Sequence, residues 1–159
     1  MMAKDEVEFD YEGLVRSRIA EYGFMVQKVA GMGSDERWPQ FAYTVGLTAM
    51  GHPEILCHGL PLDSAQSFLI EIGDRVRNGS VFSGGMTTRE LTRDGLPLTF
   101  IEASDTSDLV VGAMIYGSVR ALQLVWPDPQ GRFPWEPGCI MNHDQQPLRG
   151  RTTWPRPPE

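Results

Sequence analysis

The stretch VRALQLVW, Val119 to Trp126, constrains the fold most, because it is apolar at both odd and even positions. A strand with one face in water alternates apolar and polar; a strand without that alternation belongs in the middle of a covered sheet. Gln123 is its one amide, and buried there it needs partners, either as a structural clasp or as part of a site. A second strand reads directly from FAYTVGLT: Phe41, Tyr43, Val45 and Leu47 alternate with Ala42, Thr44, Gly46 and Thr48. Its bulky face suits the core. Its small, hydroxylic face lets a helix, a second sheet or a ligand approach the backbone closely, helix packing being the plainer reading.

Other elements gather around these two. Asp10 caps a helix whose stripe is Tyr11, Leu14, Val15, Ile19 and Tyr22, and Gly23 ends it. FMVQKV reads as a short strand. AMGHPE turns the chain and ILCHGL returns, an antiparallel hairpin by its spacing. Asp63 with Gln66 three residues on forms a capping box for a helix with stripe Ala65, Phe68, Leu69, Ile72 and Val76, closed by Asn78-Gly79. LPLTFIEA reads as a strand, and Ser107 or Asp108 caps a short helix over Leu109 to Tyr116. Glycine and proline together make 29 of 159 residues, about 18% against a usual ~12%, so turns and short elements dominate. The expected fold is α+β: one domain over residues 1–150, an antiparallel or mixed sheet of about five strands, two to three helices on one side, and a Pro/Arg-rich tail over 151–159.

Charge and cysteine count exclude some functions. A formal net charge of −7 disfavours nucleic acid as a partner, and a local basic groove has only Arg149, Arg151 and Arg156 to draw on. Two cysteines make no disulfide framework, the start MMAKDEVEFD has no apolar signal core, and no apolar run suffices to span a membrane. The expected setting is the cytoplasm.

The blocks FAYTVGL, GHPE followed by an apolar strand and GLP, and QLVWPD with GRFPWEPG run from about Phe41 to Gly138. In them the chain resembles a bacterial family, domain-of-unknown-function family 4262. The resemblance implies no mechanism and carries over no catalytic residue. It implies that Tyr43, Thr44, Gly46, His52, Pro53, Glu54, Gln123, Trp126, Asp128 and Trp135 occupy motif positions of that family.

Several constellations bear on chemistry. VWPDPQGRFPWEPG is stiff and aromatic, and its Asp-Pro-Gln-Gly corner folds RFPW back beside the preceding strand. Trp126, Phe133 and Trp135 then either cap the open end of the core or wall a cleft with Asp128 at its lip. His52-x-Glu54 is similar to the start of a zinc-deaminase signature, with Cys139 and His143 as further candidate ligands. The second cysteine is absent and a glycine interrupts Pro-Cys, so a hairpin turn is the better account and no metal is expected. Cys57 and His58 are neighbours on a strand and point to opposite faces, which excludes a thiol–imidazole pair; Cys57 reads as a small core residue. GMGS and SGGMTTR lack the spacing of a phosphate-binding loop. The order strand, proline turn, strand, helix is loosely similar to split-barrel flavin reductases, an analogy of fold alone.

The resulting expectation is a domain that binds a small molecule, with nucleotide or flavin as ligand classes to test and no cofactor assigned. Tyr43, Trp126, Phe133 and Trp135 would form the walls, Thr44 and Gln123 would bind, and His52, Glu54 and Asp128 would supply acid–base groups. Whether it is an enzyme, and whether it forms a homodimer, the residues leave open. The alternative is a non-catalytic protein-interaction module docking through the Trp-Pro segment.

Overall fold

The computed structural model describes residues 10–30, 40–142 and 144–150. The expectations placed on GMGS, His143, Arg151, Arg156, the first residues and the tail lie outside them.

Among the described residues, three helices and six strands follow one another as α1 (Tyr11–Tyr22), β1 (Met25–Val29), β2 (Phe41–Val45), β3 (Glu54–His58), α2 (Leu62–Arg77), β4 (Thr87–Thr88), β5 (Leu98–Glu102), α3 (Val110–Tyr116) and β6 (Ala121–Val125). A single turn of 3-10 helix, Leu47–Met50, joins β2 to β3. The strands form one mixed sheet in the order β1-β2-β3-β6-β5-β4. Only β3 and β6 run parallel, with Glu54 opposite Ala121 and Leu56 opposite Gln123; every other pair is antiparallel. As its composition requires, β6 is central, and all five of its residues are buried.

The α+β class and the mixed sheet agree with the sequence reading, with two differences. A sixth strand, β4, is only two residues long, too short to leave a periodic signature. The helices also lie on both faces of the sheet rather than one. Ala42, Ile55, Cys57, Leu122 and Leu124 face Ala65, Leu69 and Ile72 of α2, whereas Phe41, Tyr43, Val45 and Leu56 face Val15 of α1 and, from α3, Val111 and Ile115. The cause lies in the central strands: both faces of β2, β3 and β6 are apolar, so each needs a cover. The small face of β2 accordingly packs against α2 through Ala42. At Gly46 the close neighbour is the turn after α1: a Cβ there would stand 2.5 Å from the Gly23 carbonyl oxygen, on a backbone with φ 136°.

Two caps differ from expectation. Helix α2 begins at Leu62 behind Pro61, whose carbonyl accepts the first helical bond from Ala65 N–H at 3.0 Å, so Asp63 sits inside the first turn and caps nothing. Proline's preset φ starts the helix two residues earlier than the aspartate suggests. Helix α3 has no side-chain cap either, because Asp108 is drawn away to Arg149. Asp10 does cap α1, accepting from Gly13 N–H at 2.9 Å.

Candidate functional site

The turn between β2 and β3 is organised by one carboxylate. Glu54 is fully buried at the first position of β3, which directs it under the turn. Its Oε1 accepts from Thr44 Oγ1 (2.7 Å) and Leu47 N–H (3.1 Å). Its Oε2 accepts from Gly46 N–H (3.1 Å), Thr48 N–H (2.9 Å) and Thr48 Oγ1 (2.6 Å). Three backbone N–H groups at the head of the 3-10 turn would otherwise be buried orphans, and a carboxylate satisfies them together. Thr44 serves both sides, donating to Glu54 and accepting from Ile55 N–H at 2.9 Å.

His52 lies at the end of the same turn and is 7% exposed. Its Nδ1–H donates to the Pro53 carbonyl at 2.8 Å, leaving Nε2 to accept from Phe82 N–H at 3.0 Å. This network assigns the neutral tautomer and engages both ring nitrogens. The imidazole thus ties the turn to the segment after α2.

Above this turn opens a cavity of about 330 Å3, lined by Thr48, Gly51, His52, Pro53, Ser118 and Arg120. Arg120 is held at the entrance to β6 by its own carbonyl, which accepts from Glu54 N–H at 2.9 Å. Its guanidinium meets Glu102 at 3.4 Å, with both side chains largely in solvent. A larger groove of about 610 Å3 lies between the end of α2 and β4, but its arginines are tied: Arg75 to Glu71 and Glu90, Arg89 to the Gly95 carbonyl.

The remaining residues singled out from sequence stand elsewhere. Glu54 is opposite Ala121, five residues before Trp126, which places His52 and Glu54 roughly 17 Å along the strand direction from Trp126 and Asp128. Tyr43 faces α3, where its hydroxyl accepts from Val111 N–H at 2.9 Å, and burial pushes the phenol up to about 12. Gln123 is a clasp: its amide donates to the Pro147 carbonyl (2.9 Å) and accepts from Arg149 N–H (2.8 Å). Trp126 packs on the α2 side and donates from Nε1 to the His58 carbonyl at 2.7 Å. Phe133 and Trp135 stack on each other, ring centroids 5.3 Å apart, against Ile101 and Val125 on the opposite face. Phe133 is buried there and closes the end of the core. Asp128 Oδ1 accepts from the N–H groups of Gln130 and Arg132 and Oδ2 from Ile140 N–H, which shapes the Pro-Gln-Gly corner. Those bonds, Arg132's foremost, hold its carboxyl below the usual carboxylate range. The structure therefore joins Thr44 to Glu54, places His52 in the same turn with its ring bonded to Pro53 and Phe82 rather than to Glu54, and separates all three from Gln123, Trp126, Asp128, Phe133 and Trp135.

One buried cluster is not apparent in the sequence. Arg149, 4% exposed, presents its fork to both oxygens of Asp108 and donates from Nε to His58 Nε2 at 2.7 Å, with its guanidinium 5.1 Å above the Phe41 ring. It is therefore no part of a basic groove. Ser104 donates from both N–H and Oγ to the Arg149 carbonyl, and Gln146 brackets the Trp126 backbone, so residues 145–150 form a strap across the ends of β3 and β6. His58 is fully buried, and Cys57 lies in the core, its thiol pushed up to about 12 by burial.

A mixed, doubly covered sheet with a concavity over its carboxylate-bound turn defines a small α+β domain whose candidate site lies at the start of its two parallel strands. The chain belongs to the domain-of-unknown-function family DUF4262, whose model matches residues 18–140. No curated protein and no solved structure matches it. Among the described residues, no helix is long and apolar enough to cross a membrane.

Proposed function

We propose that the protein binds a small molecule in the cavity bounded by Thr48, Gly51, His52, Pro53, Ser118 and Arg120. One observation carries this reading: the cavity stands on a floor that is already rigid. Five hydrogen bonds to Glu54 and two from the His52 ring hold the turn beneath it. A preformed concavity of about 330 Å3 is within the size range of ligand sites and loses little entropy on binding. In this reading His52 and Glu54 shape the site, since the hydrogen-bonding atoms of both already have protein partners.

A thermal-shift screen of small polar metabolites tests it, using the wild type and Ser118→Trp, which fills the mouth from an exposed position. A ligand at a hundred times its Kd contributes about 2.7 kcal/mol, or roughly 5–11 °C in Tm for a domain of this size. The expected result is a shift in the wild type that Ser118→Trp abolishes. Equal shifts in both proteins, or none in either, would refute the reading.

A second reading, docking of a protein partner through the Trp-Pro segment, has one observation in its favour. Ile140, held to Asp128 by its N–H, is 66% exposed beside that segment. Ile140→Asp should abolish such an interaction while leaving the fold intact.

A further inference from the structure

We infer that the ligand of this cavity is a small carboxylate, bound through Arg120 and Ser118; the inference rests on the cavity being the binding site. The argument is an inventory of what each lining group still has to offer. His52 has no donor left, because Nδ1–H is given to the Pro53 carbonyl and Nε2 already accepts from Phe82. The Thr48 hydroxyl and N–H are both given to Glu54, and Gly51 N–H to the Thr48 carbonyl. Pro53 has no N–H. Two donors remain. Ser118 Oγ has no hydrogen-bond partner among the described residues, and Arg120 is engaged only through one nitrogen, 3.4 Å from Glu102.

That ion pair joins side chains 76% and 66% exposed, so water and salt screen it and a ligand displaces it at little cost. The freed guanidinium offers a planar fork of N–H donors, whose geometry matches the two oxygens of a carboxylate. The cavity lining therefore presents one cation, one free hydroxyl and no exposed carboxylate. Its occupant must bring acceptors and a negative charge.

The number of charges is also limited. Glu54 lies directly below the turn, its carboxylate ringed by five donors. Glu102 flanks the mouth, and the chain carries a formal net charge of −7. A single arginine against this background suits one negative charge and disfavours two. A monocarboxylate fits better than a phosphate monoester. The volume, about eleven waters' worth at roughly 30 Å3 each, admits a molecule of a few carbons with hydroxyl groups for Thr48 and Ser118 to meet.

Amide-resolved NMR of the full chain tests this with three probes: L-lactate, its neutral amide lactamide, and inorganic phosphate. Lactate is expected to shift the amides of Gly51, Ser118 and Arg120 in a saturable way and at least tenfold more tightly than lactamide or phosphate. Arg120→Gln should weaken lactate at least tenfold and leave lactamide unchanged. Lactamide binding as tightly as lactate, or an Arg120→Gln protein that keeps its affinity, overturns the charge assignment and leaves the cavity standing as a site. Phosphate binding more tightly than lactate overturns the carboxylate and the single charge. If none of the three moves those amides, the inference fails, and the cavity reading loses its support with it.

Discussion

Replacing Glu54 by glutamine measures how much of the fold depends on one buried carboxylate. The side chains have the same shape, but one oxygen becomes an NH2 that donates where two or three donors already converge. In the less damaging orientation the NH2 stands at the Oε1 position, facing Thr44 Oγ1 and Leu47 N–H. The threonine hydroxyl can rotate; the Leu47 N–H cannot, and a buried orphan donor costs about 1–3 kcal/mol. The three bonds at the other oxygen, from Gly46 N–H, Thr48 N–H and Thr48 Oγ1, survive without charge assistance, each losing roughly half of about 1.5–3 kcal/mol. Neutralising a buried charge returns part of this. The net expected loss is about 4 kcal/mol, or roughly 8–16 °C in Tm. Urea unfolding, followed by tryptophan fluorescence, reads it as a fall in midpoint at constant m-value. A loss below about 1 kcal/mol would refute the claim that Glu54 holds the turn. Thr48→Val, which removes a single donor, should cost about 1 kcal/mol.

Further outcomes follow from other residues. Asp128 is held below the ordinary carboxylate range, so its stabilisation is complete above the unfolded value of about 3.9 and is lost as the pH falls through the folded value. The urea midpoints of wild type and Asp128→Asn should therefore differ at pH 7 and converge toward pH 2. Arg149→Met leaves Asp108 and His58 without their cation and should cost about 3 kcal/mol, toward the low end for a broken buried pair because the Asp108 side chain is 34% exposed; adding Asp108→Asn should recover part of it in the same assay. Iodoacetamide should label Cys139 in the native protein and Cys57 only after denaturant, because Cys57 is fully buried with its thiol near 12; equal labelling would contradict this. Gly46→Ala should destabilise strongly, its Cβ meeting the Gly23 carbonyl on a left-handed backbone, as thermal melting would show.

What was legible in the sequence is what periodicity encodes. The alternation of Phe41 to Val45, the two-faced apolarity of Ala121 to Val125 and the stripe of α2 each report burial, and the structure places them accordingly. Neither the parallel pairing of β3 with β6 nor the split of helices between two faces has a local signature, since both arise from partners far along the chain. The polar residues show the same boundary. Glu54 and His52 attract notice as His-x-Glu, yet their partners are largely backbone N–H and C=O groups, which a string of side chains does not display. Arg120 and Ser118 carry no motif; the one available hint is an arginine at the entry of a strand whose only other polar residue is Gln123. Arg149 reads with its arginine neighbours because composition there resembles a tail, and only its bonds to Asp108 and His58 reveal otherwise.

The parallel pairing at the centre of the sheet also sets a timetable for synthesis. Glu54 waits for Ala121, more than sixty residues later, and at roughly 5–20 residues per second the ribosome takes about 3–13 s to deliver that partner. During that interval β1, β2 and β3 can pair as a meander, but β3 stands bare along one side with Ile55, Leu56 and Cys57, all fully buried in the finished molecule. A nascent chain halted before residue 121 therefore exposes a sticky strand edge of the kind that templates aggregation. Rare codons or stalling between β3 and β6 should lower soluble yield far more than the same delay placed after Val125.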